Sequence, residues 1–182
     1  MPWLRPHPAR QTAEQLYAAL VVQARRPEFY RELGVPDTLD GRFELVALHT
    51  FFALRRLKSD ASAAETRQAL VDIFVDDMDA SLREMGAGDL GVGRRVKAMA
   101  QALYGRIAAY EAGLSDSEQA LIDALRRNLY GTVTKTAPDP LTLEKLAAYV
   151  RRESAAPSLN GDAVGFGPPP GPATETGQKQ RR

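Results

Sequence analysis

Residues 74–97 have the sequence FVDDMDASLREMGAGDLGVGRRVK, in which two stretches of helical pattern flank a run of glycines. Before the glycines, apolar side chains recur at the spacing that places them on one face of an α-helix. The residues of this apolar stripe are Leu70, Phe74, Met78, Leu82 and Met85. Gly86 suits the left-handed position that ends a helix, and Gly88, Gly91 and Gly93 suit a tight connection. The stretch therefore predicts two antiparallel helices joined by a glycine turn.

The same helical period extends along most of the chain on both sides of this hairpin. A hydroxyl followed three positions later by an acid or amide, which is typical of helix starts, occurs at Thr12–Gln15, Ser62–Glu65 and Ser115–Glu118. Helices are predicted from Ala13, through Leu45 to Leu57, and over residues 62–85, 92–112, 115–129 and 140–152. No segment has a convincing strand pattern, so the predicted fold class is all-α, a single compact multi-helix domain.

Three regions differ in composition and predict the domain organisation. Residues 1–11 are expected to form an irregular leader, and residues 12–153 the helical domain. Residues 154–182 are rich in glycine and proline, with too few apolar side chains to offset the entropy of ordering them. We predict a disordered, dispensable tail there. A docking peptide around GPPPGP at residues 167–172 is the alternative.

The composition limits the classes of function. The chain of 182 residues is long enough for one domain with a hydrophobic core. Its 24 basic and 23 acidic residues give a net charge of +1, which provides no general attraction to nucleic acid or anionic lipid. The absence of cysteine excludes disulfides and thiolate nucleophiles. The longest apolar run, Leu45 to Leu54, is too short to cross a membrane, so no transmembrane segment is expected.

A row of acidic residues lies on the helix before the glycines. Asp72, Asp76, Asp79 and Arg83 fall on a stripe that points away from the apolar one. Paired carboxylates serve metal ions or acid–base catalysis, and an enzyme that uses Asp76, Asp77 and Asp79 is one alternative. A helical di-iron site, however, needs Glu-x-x-His motifs, and the chain has only two histidines. We therefore predict a solvated acidic face, with no catalytic residue, no metal and no cofactor.

The order of charges around the glycine turn is unusual. Acids accumulate toward the negative end of the first helix, while Arg94, Arg95 and Lys97 lie in the positive first turns of the second. Both placements oppose the helix dipole, at a cost of about 0.3–1 kcal/mol for each exposed charge. Two hypotheses follow. The acids and bases neutralise one another across the hairpin, or a binding partner neutralises them.

All three internal methionines, Met78, Met85 and Met99, lie on the two helices beside the turn. Methionine is flexible and polarisable, and it is favoured on surfaces that accept varied shapes. The helical spacing of the same residues also fits a core, so a core role and a binding role both remain open. Tyr104 and Arg106 follow on the second helix and fit beside either surface.

Two long blocks of the sequence resemble the ubiquinol-cytochrome c chaperone family. They are LYAALVVQARRPEFYRELGVPDTLDGRFELVALHTFFALRRL at residues 16–57 and FVDDMDASLREMGAGDLGVGRRVKAMAQALYGR at residues 74–106. The resemblance covers about residues 16–152. It implies an all-helical protein, not an enzyme, that binds newly made cytochrome b as its client and assists the assembly of ubiquinol-cytochrome c reductase (complex III). It also implies a small partner chaperone or the ribosome as a further partner, and a cytoplasmic protein that is peripheral on the inner face of the respiratory membrane.

The candidates for partner binding are the charged, methionine and aromatic residues on both sides of the turn. They are Asp76, Asp77, Met78, Asp79, Arg83, Met85, Asp89, Arg94, Arg95, Lys97, Met99, Tyr104 and Arg106. A ribosome- or RNA-associated helical adaptor is the alternative function, in which the basic residues among them would contact phosphates. Because the chain lacks a broad basic face, specific nucleic-acid binding is not expected.

Overall fold

The structure is a computed structural model that describes residues 7–84, 92–132, 138–157 and 165–171, with backbone alone at residue 82 and residues 92–96. Within these ranges the chain forms seven α-helices and one 3₁₀ turn, Ala61–Ala63. The helices are α1 (Pro8–Ala24), α2 (Pro27–Arg31), α3 (Leu39–Leu57), α4 (Ala64–Glu84), α5 (Val92–Asp116), α6 (Glu118–Leu129) and α7 (Pro140–Ser154). The described ranges contain no strand, and the predicted all-α class is confirmed.

Helix α3 forms the centre of the domain. It contacts α1, α4, α5, α6 and α7. Every residue from Glu44 to Ala53 is buried, as expected of a helix that is surrounded on all sides. The longest apolar run of the sequence is therefore the middle of the core.

Helices α4 and α5 form the predicted hairpin. Leu70, Phe74 and Met78 are buried, which confirms the apolar stripe for the part whose side chains are described. Leu82 has only its backbone described, and Met85, Gly86, Gly88 and Gly91 lie outside the described residues. Gly93 was predicted to belong to the turn, but it lies within α5, whose helical backbone already begins at Val92.

The predicted start of α1 is corrected. The helix begins at Pro8, so part of the predicted irregular leader is helical, and Thr12 lies inside the helix rather than at its cap. Proline suits the first helical position because that residue needs no backbone N–H partner. The Thr12 hydroxyl donates to the carbonyl of Pro8 across 3.0 Å, one turn back in the same helix.

The predicted starts of α4 and α6 are corrected as well. Asp60, rather than Ser62, accepts from the backbone at the 3₁₀ turn before α4, with the Ser62 N–H at 2.8 Å. Helix α5 continues through Ser115, and Ser117 caps α6 by accepting from the Ala120 N–H at 3.1 Å. Candidate cap residues lie two positions apart at both sites, so the pattern alone selects the wrong one.

Part of the predicted disordered tail is ordered against the domain. In the described segment 165–171, Phe166 packs against the hydrophobic core and Pro169 is buried. Composition predicts disorder because the segment is mostly glycine and proline, yet its single aromatic ring and its backbone carbonyls find partners on the helices. The remaining tail residues, 158–164 and 172–182, lie outside the described residues.

Candidate binding cavity and neighbouring groove

A cavity of about 510 Å³ lies where the first turns of α3 meet α4, α5 and the end of α6. We call it the α3–α5 cavity. Its apolar walls are formed by Leu39, Phe43, Met78, Ala98, Met99 and Leu129. The volume falls in the range of about 300–1,000 Å³ that is usual for ligand sites. The helical hairpin thus brings Met78 of α4 and Met99 of α5 to one site.

Four of the six apolar residues named above were not among the predicted candidates, and two of these four, Leu39 and Phe43, lie on α3. Leu39 is 44% exposed although it is a large apolar residue, and Phe43 lies one helical turn further along α3. Their spacing of four residues places both on one face at the start of α3. That spacing indicates a short apolar face in the sequence. It is easily missed because the longer apolar run follows directly after it.

One wall of the cavity carries an ion pair between Arg106 of α5 and Glu44 of α3. Arg106 Nε donates to Glu44 Oε2 across 2.7 Å, and a second guanidinium nitrogen donates to the other carboxylate oxygen. The guanidinium also lies over the Phe43 ring, 5.0 Å from its centre. Burial raises the pKa of Glu44, and the hydrogen bond and charge of Arg106 oppose this rise. Arg106 thus lines the cavity while it is paired with Glu44 of the same domain.

A shallower groove runs between α4 and α5, and it contains three of the predicted charged or aromatic candidates. It has a volume of about 430 Å³ and is lined by Gln68, Val71, Asp72, Val75, Asp76, Lys97, Ala100 and Tyr104. Tyr104 is 53% exposed. We call this the α4–α5 groove. It places Lys97 on the same surface as two acids, so the hairpin brings opposite charges together at this point.

The other acidic candidates of α4 have partners elsewhere. Asp77 accepts from the Tyr17 hydroxyl on α1 across 2.7 Å, and Asp79 accepts from Arg83, one turn along α4, also across 2.7 Å. Asp89 and Met85 lie outside the described residues, and the side chains of Arg94 and Arg95 are not described. Only part of the predicted set can therefore be placed, and that part is divided among the cavity, the groove and the domain's own packing.

Two further structural findings bear on function. Across the described parts of the chain, no group of three or more histidine, aspartate or glutamate side chains is placed to hold a metal ion. No described helix is both long enough and apolar enough to span a bilayer.

Comparison with protein families gives one match that covers most of the chain. The model of the ubiquinol-cytochrome C chaperone family matches residues 31–159. This region includes every residue named above in the α3–α5 cavity and the α4–α5 groove. It ends before the ordered segment 165–171.

Similar proteins agree with that match. The chain is 28% identical over 142 residues to ubiquinol-cytochrome-c reductase complex assembly factor 1 of Xenopus laevis, covering 78% of this chain and 70% of the frog protein. It is 26% identical to the protein of that name from Mus musculus, covering 82% of this chain and half of the mouse protein. The crystal structure of the Cbp3 homolog from Brucella abortus superposes with a TM-score of 0.68 and 35% identity, over 82% of this chain and 90% of that one.

Proposed function

The chain belongs to the ubiquinol-cytochrome C chaperone family, and we propose that it binds newly made cytochrome b and assists the assembly of ubiquinol-cytochrome c reductase. The names of the frog and mouse relatives support the assembly role. This chain spans only about half the length of the mouse relative, so the proposal concerns the shared helical domain.

The α3–α5 cavity is the observation that carries the proposal. A membrane protein contains helices of about 20 apolar residues, and these must be shielded from water until they enter the bilayer. The cavity offers apolar walls that include two methionines, whose flexible side chains adapt to different apolar shapes. Leu39 at its edge provides exposed apolar surface for the first contact.

The polar side of the cavity suits the ends of such a helix. Asp40, Asn128 and the Glu44–Arg106 pair line the cavity together with the apolar residues. Apolar transmembrane segments are flanked by polar and charged residues, so a mixed wall of this kind can contact both parts of a client segment. Holding and release require no chemical step, and we assign no catalytic residue.

A matched pair of substitutions tests the site. Leu39 and Leu141 are both exposed and both lie in the first turn of a helix, where an added carboxylate suits the helix dipole. Leu39→Asp changes the cavity, whereas Leu141→Asp changes α7. We expect Leu39→Asp to reduce the capture of cytochrome b from solubilised native membranes at least tenfold, and Leu141→Asp to leave it unchanged.

The possible outcomes test the identity of the client and the location of the binding site separately. If the unaltered chain captures no cytochrome b, the proposed client is wrong. If it captures cytochrome b and Leu39→Asp does so equally well, the client stands and the cavity does not bind it. Melting temperatures of both variants control for loss of fold.

The same proposal extends to location and further partners. We place the protein at the inner face of the respiratory membrane, where the client is inserted, with a small partner chaperone or the ribosome nearby.

The RNA-adaptor alternative has less support. Arg106 is paired with Glu44, and Lys97 shares the α4–α5 groove with Asp72 and Asp76. Binding to bare RNA that falls steeply with salt would favour that alternative instead.

A further inference from the structure

Residues 165–171 occupy a site built from the C-terminal parts of α1 and α7 and the second half of α3. We call the site the Phe166 socket. It is formed by Gln23, His49, Arg56, Tyr149, Arg152 and Glu153. The socket lies apart from the α3–α5 cavity, and its occupant lies beyond the region matched by the family.

Side chains of the socket bind the backbone of the segment at three residues. Arg56 Nη1 donates to the Gly165 carbonyl across 2.9 Å, and Gln23 Nε2 donates to the Gly167 carbonyl across 2.8 Å. The Gly167 N–H donates to Glu153 Oε1 across 3.1 Å. Arg152 Nη2 donates to the Pro168 carbonyl across 2.6 Å. Four hydrogen bonds thus bind three of the four residues from Gly165 to Pro168.

The aromatic ring of the segment has its own place in the socket. The centre of the Phe166 ring lies 5.4 Å from that of His49, with the two rings nearly perpendicular, which is a favourable arrangement for aromatic pairs. The Arg56 guanidinium lies over the Phe166 ring, 5.0 Å from its centre. Phe166 therefore contacts a buried imidazole and a buried cation at once.

The polar groups of the socket are held in place by one another. Arg56 and Glu153 form an ion pair of 2.6 Å with side chains only 2% and 3% exposed. The Tyr149 hydroxyl donates to His49 Nε2 across 2.8 Å, while His49 Nδ1 donates to the Leu45 carbonyl across 2.7 Å. Buried charges and polar groups of this kind need fixed partners. The donors and acceptors of the socket are therefore positioned by the helices.

The socket also selects the residue after the aromatic one. A Cβ atom at Gly167 would lie 2.6 Å from Glu153 Oε1 and 2.8 Å from Arg152 Nη2. Because the Glu153 carboxylate is held by Arg56 and buried, it cannot move aside without losing that ion pair. Glycine is therefore the residue that fits at this position.

We propose that the Phe166 socket is a peptide-binding site for an extended segment in which an aromatic residue is followed by glycine and proline. Residues 165–171 are its exchangeable occupant, and a partner protein that presents a segment of this chemistry replaces them. Hydrogen bonds to the backbone and one aromatic anchor are the usual means of binding such segments, and proline reduces the entropy lost on binding.

The intramolecular occupant sets the conditions of the test. A segment tethered to its site has an effective concentration on the order of millimolar, so the unaltered chain should bind free peptide weakly. The full chain with Phe166→Ser and Gly167→Val should release its own segment and leave the socket open. The probe is a fluorescein-labelled peptide AVGFGPPPGP, which is the sequence of residues 163–172.

We expect the altered chain to bind this peptide at least tenfold more tightly than the unaltered chain, by fluorescence anisotropy. The same peptide with alanine in place of its phenylalanine should bind at least tenfold more weakly. Equal binding by the two chains, or equal binding of the two peptides, would overturn the proposal and make the segment a permanent structural strap.

A second measurement needs no disruptive substitution. The chain contains no cysteine, and a Cβ atom added at Gly171 would meet no other atom within 4 Å, so Gly171→Cys provides a single site for a spin label. We expect a mobile component to appear in the electron paramagnetic resonance spectrum when excess peptide is added, and not with the alanine peptide. A spectrum that saturating peptide leaves unchanged would contradict exchange.

Discussion

The hydroxyl of Tyr17 on α1 donates a hydrogen bond of 2.7 Å to the carboxylate of Asp77 on α4. Burial, followed by the bond to the carboxylate, raises the pKa of Tyr17, so the phenol keeps its proton and remains a donor. An acid that sequence analysis marks as a candidate for partner binding therefore joins two helices. With Asp79 bound to Arg83, two of the acids that oppose the helix dipole have partners within the domain.

Tyr17→Phe tests the contribution of this bond to stability. The substitution keeps the ring and removes the donor, which leaves the partly buried Asp77 carboxylate without it. We expect the free energy of unfolding in urea to fall by about 1.5 kcal/mol, as for other hydrogen bonds to charged groups. Tyr104→Phe is the matched control, since that side chain is largely exposed, and it should change stability by less than about 0.5 kcal/mol. Equal losses in the two variants would contradict the assignment.

The Arg106–Glu44 pair should behave as a partly buried ion pair. In Arg106→Met the Glu44 carboxylate, only 8% exposed, loses its counter-charge. We expect a loss of about 2–3 kcal/mol in urea unfolding, and we expect the double variant Glu44→Met with Arg106→Met to recover most of it. Arg126→Met is the control, because its pair with Asp123 is about half exposed and should contribute little. A double variant no more stable than Arg106→Met would show that the arginine acts through some other contact.

His49 should make the domain less stable in mild acid. Burial lowers the pKa of His49 to about 4, from 6.5 for an unperturbed histidine. Below pH 6.5, His49 therefore binds a proton in the unfolded chain but not in the folded chain. The free energy of unfolding consequently falls as the pH falls toward 4. Between pH 7 and pH 5 this residue should account for a loss of about 2 kcal/mol.

The variant His49→Gln isolates that contribution. The glutamine side chain can still form hydrogen bonds with Tyr149 and with the Leu45 carbonyl, but it does not titrate. Its free energy of unfolding should be lower at pH 7 and should depend less on pH between 7 and 5. The same pH dependence in both proteins would mean that other groups cause it.

The fold was largely predictable because it depends on local pattern. The helical period of the apolar residues and the uninterrupted run in α3 identify the helices and the central one. Cap residues were less predictable, because Ser115 and Ser117 both fit the pattern of a cap for α6. Only the tertiary position of the connection between α5 and α6 decides which of them caps the helix. Close packing there depends on Gly113, where a Cβ atom would lie 2.7 Å from the Cα of Leu121.

The site was less predictable because its partners are distant in sequence. Arg106 and Glu44 are 62 residues apart, and Tyr17 and Asp77 are 60 apart. No periodicity links such positions, so charges that look available in the sequence are paired in the fold. The ordered segment around Phe166 was missed for a related reason. Its composition describes the segment alone, whereas its order depends on Arg56 and Glu153.

Lys97 provides the remaining test of the unusual charge order at the hairpin. It lines the α4–α5 groove with Asp72 and Asp76. If these charges neutralise one another, Lys97→Glu adds a third negative charge to the groove. We then expect a loss of stability of about 0.5 kcal/mol, and Asp76→Lys in the same chain should restore it. For a chain of this size such a loss lowers the melting temperature by about 1–2 °C, which differential scanning calorimetry resolves.

The capture of cytochrome b in the same variants separates the two hypotheses. If Lys97 exists to meet a partner, Lys97→Glu should abolish capture and leave the melting temperature unchanged or higher, because a carboxylate suits the first turns of α5. We expect the opposite: capture within twofold of the unaltered chain, and a melting temperature that falls and is restored by Asp76→Lys. The reason is that Lys97 lines the groove together with Asp72 and Asp76, whose charges we expect to compensate its own. Loss of cytochrome b capture without a fall in melting temperature would instead indicate that the groove binds the partner.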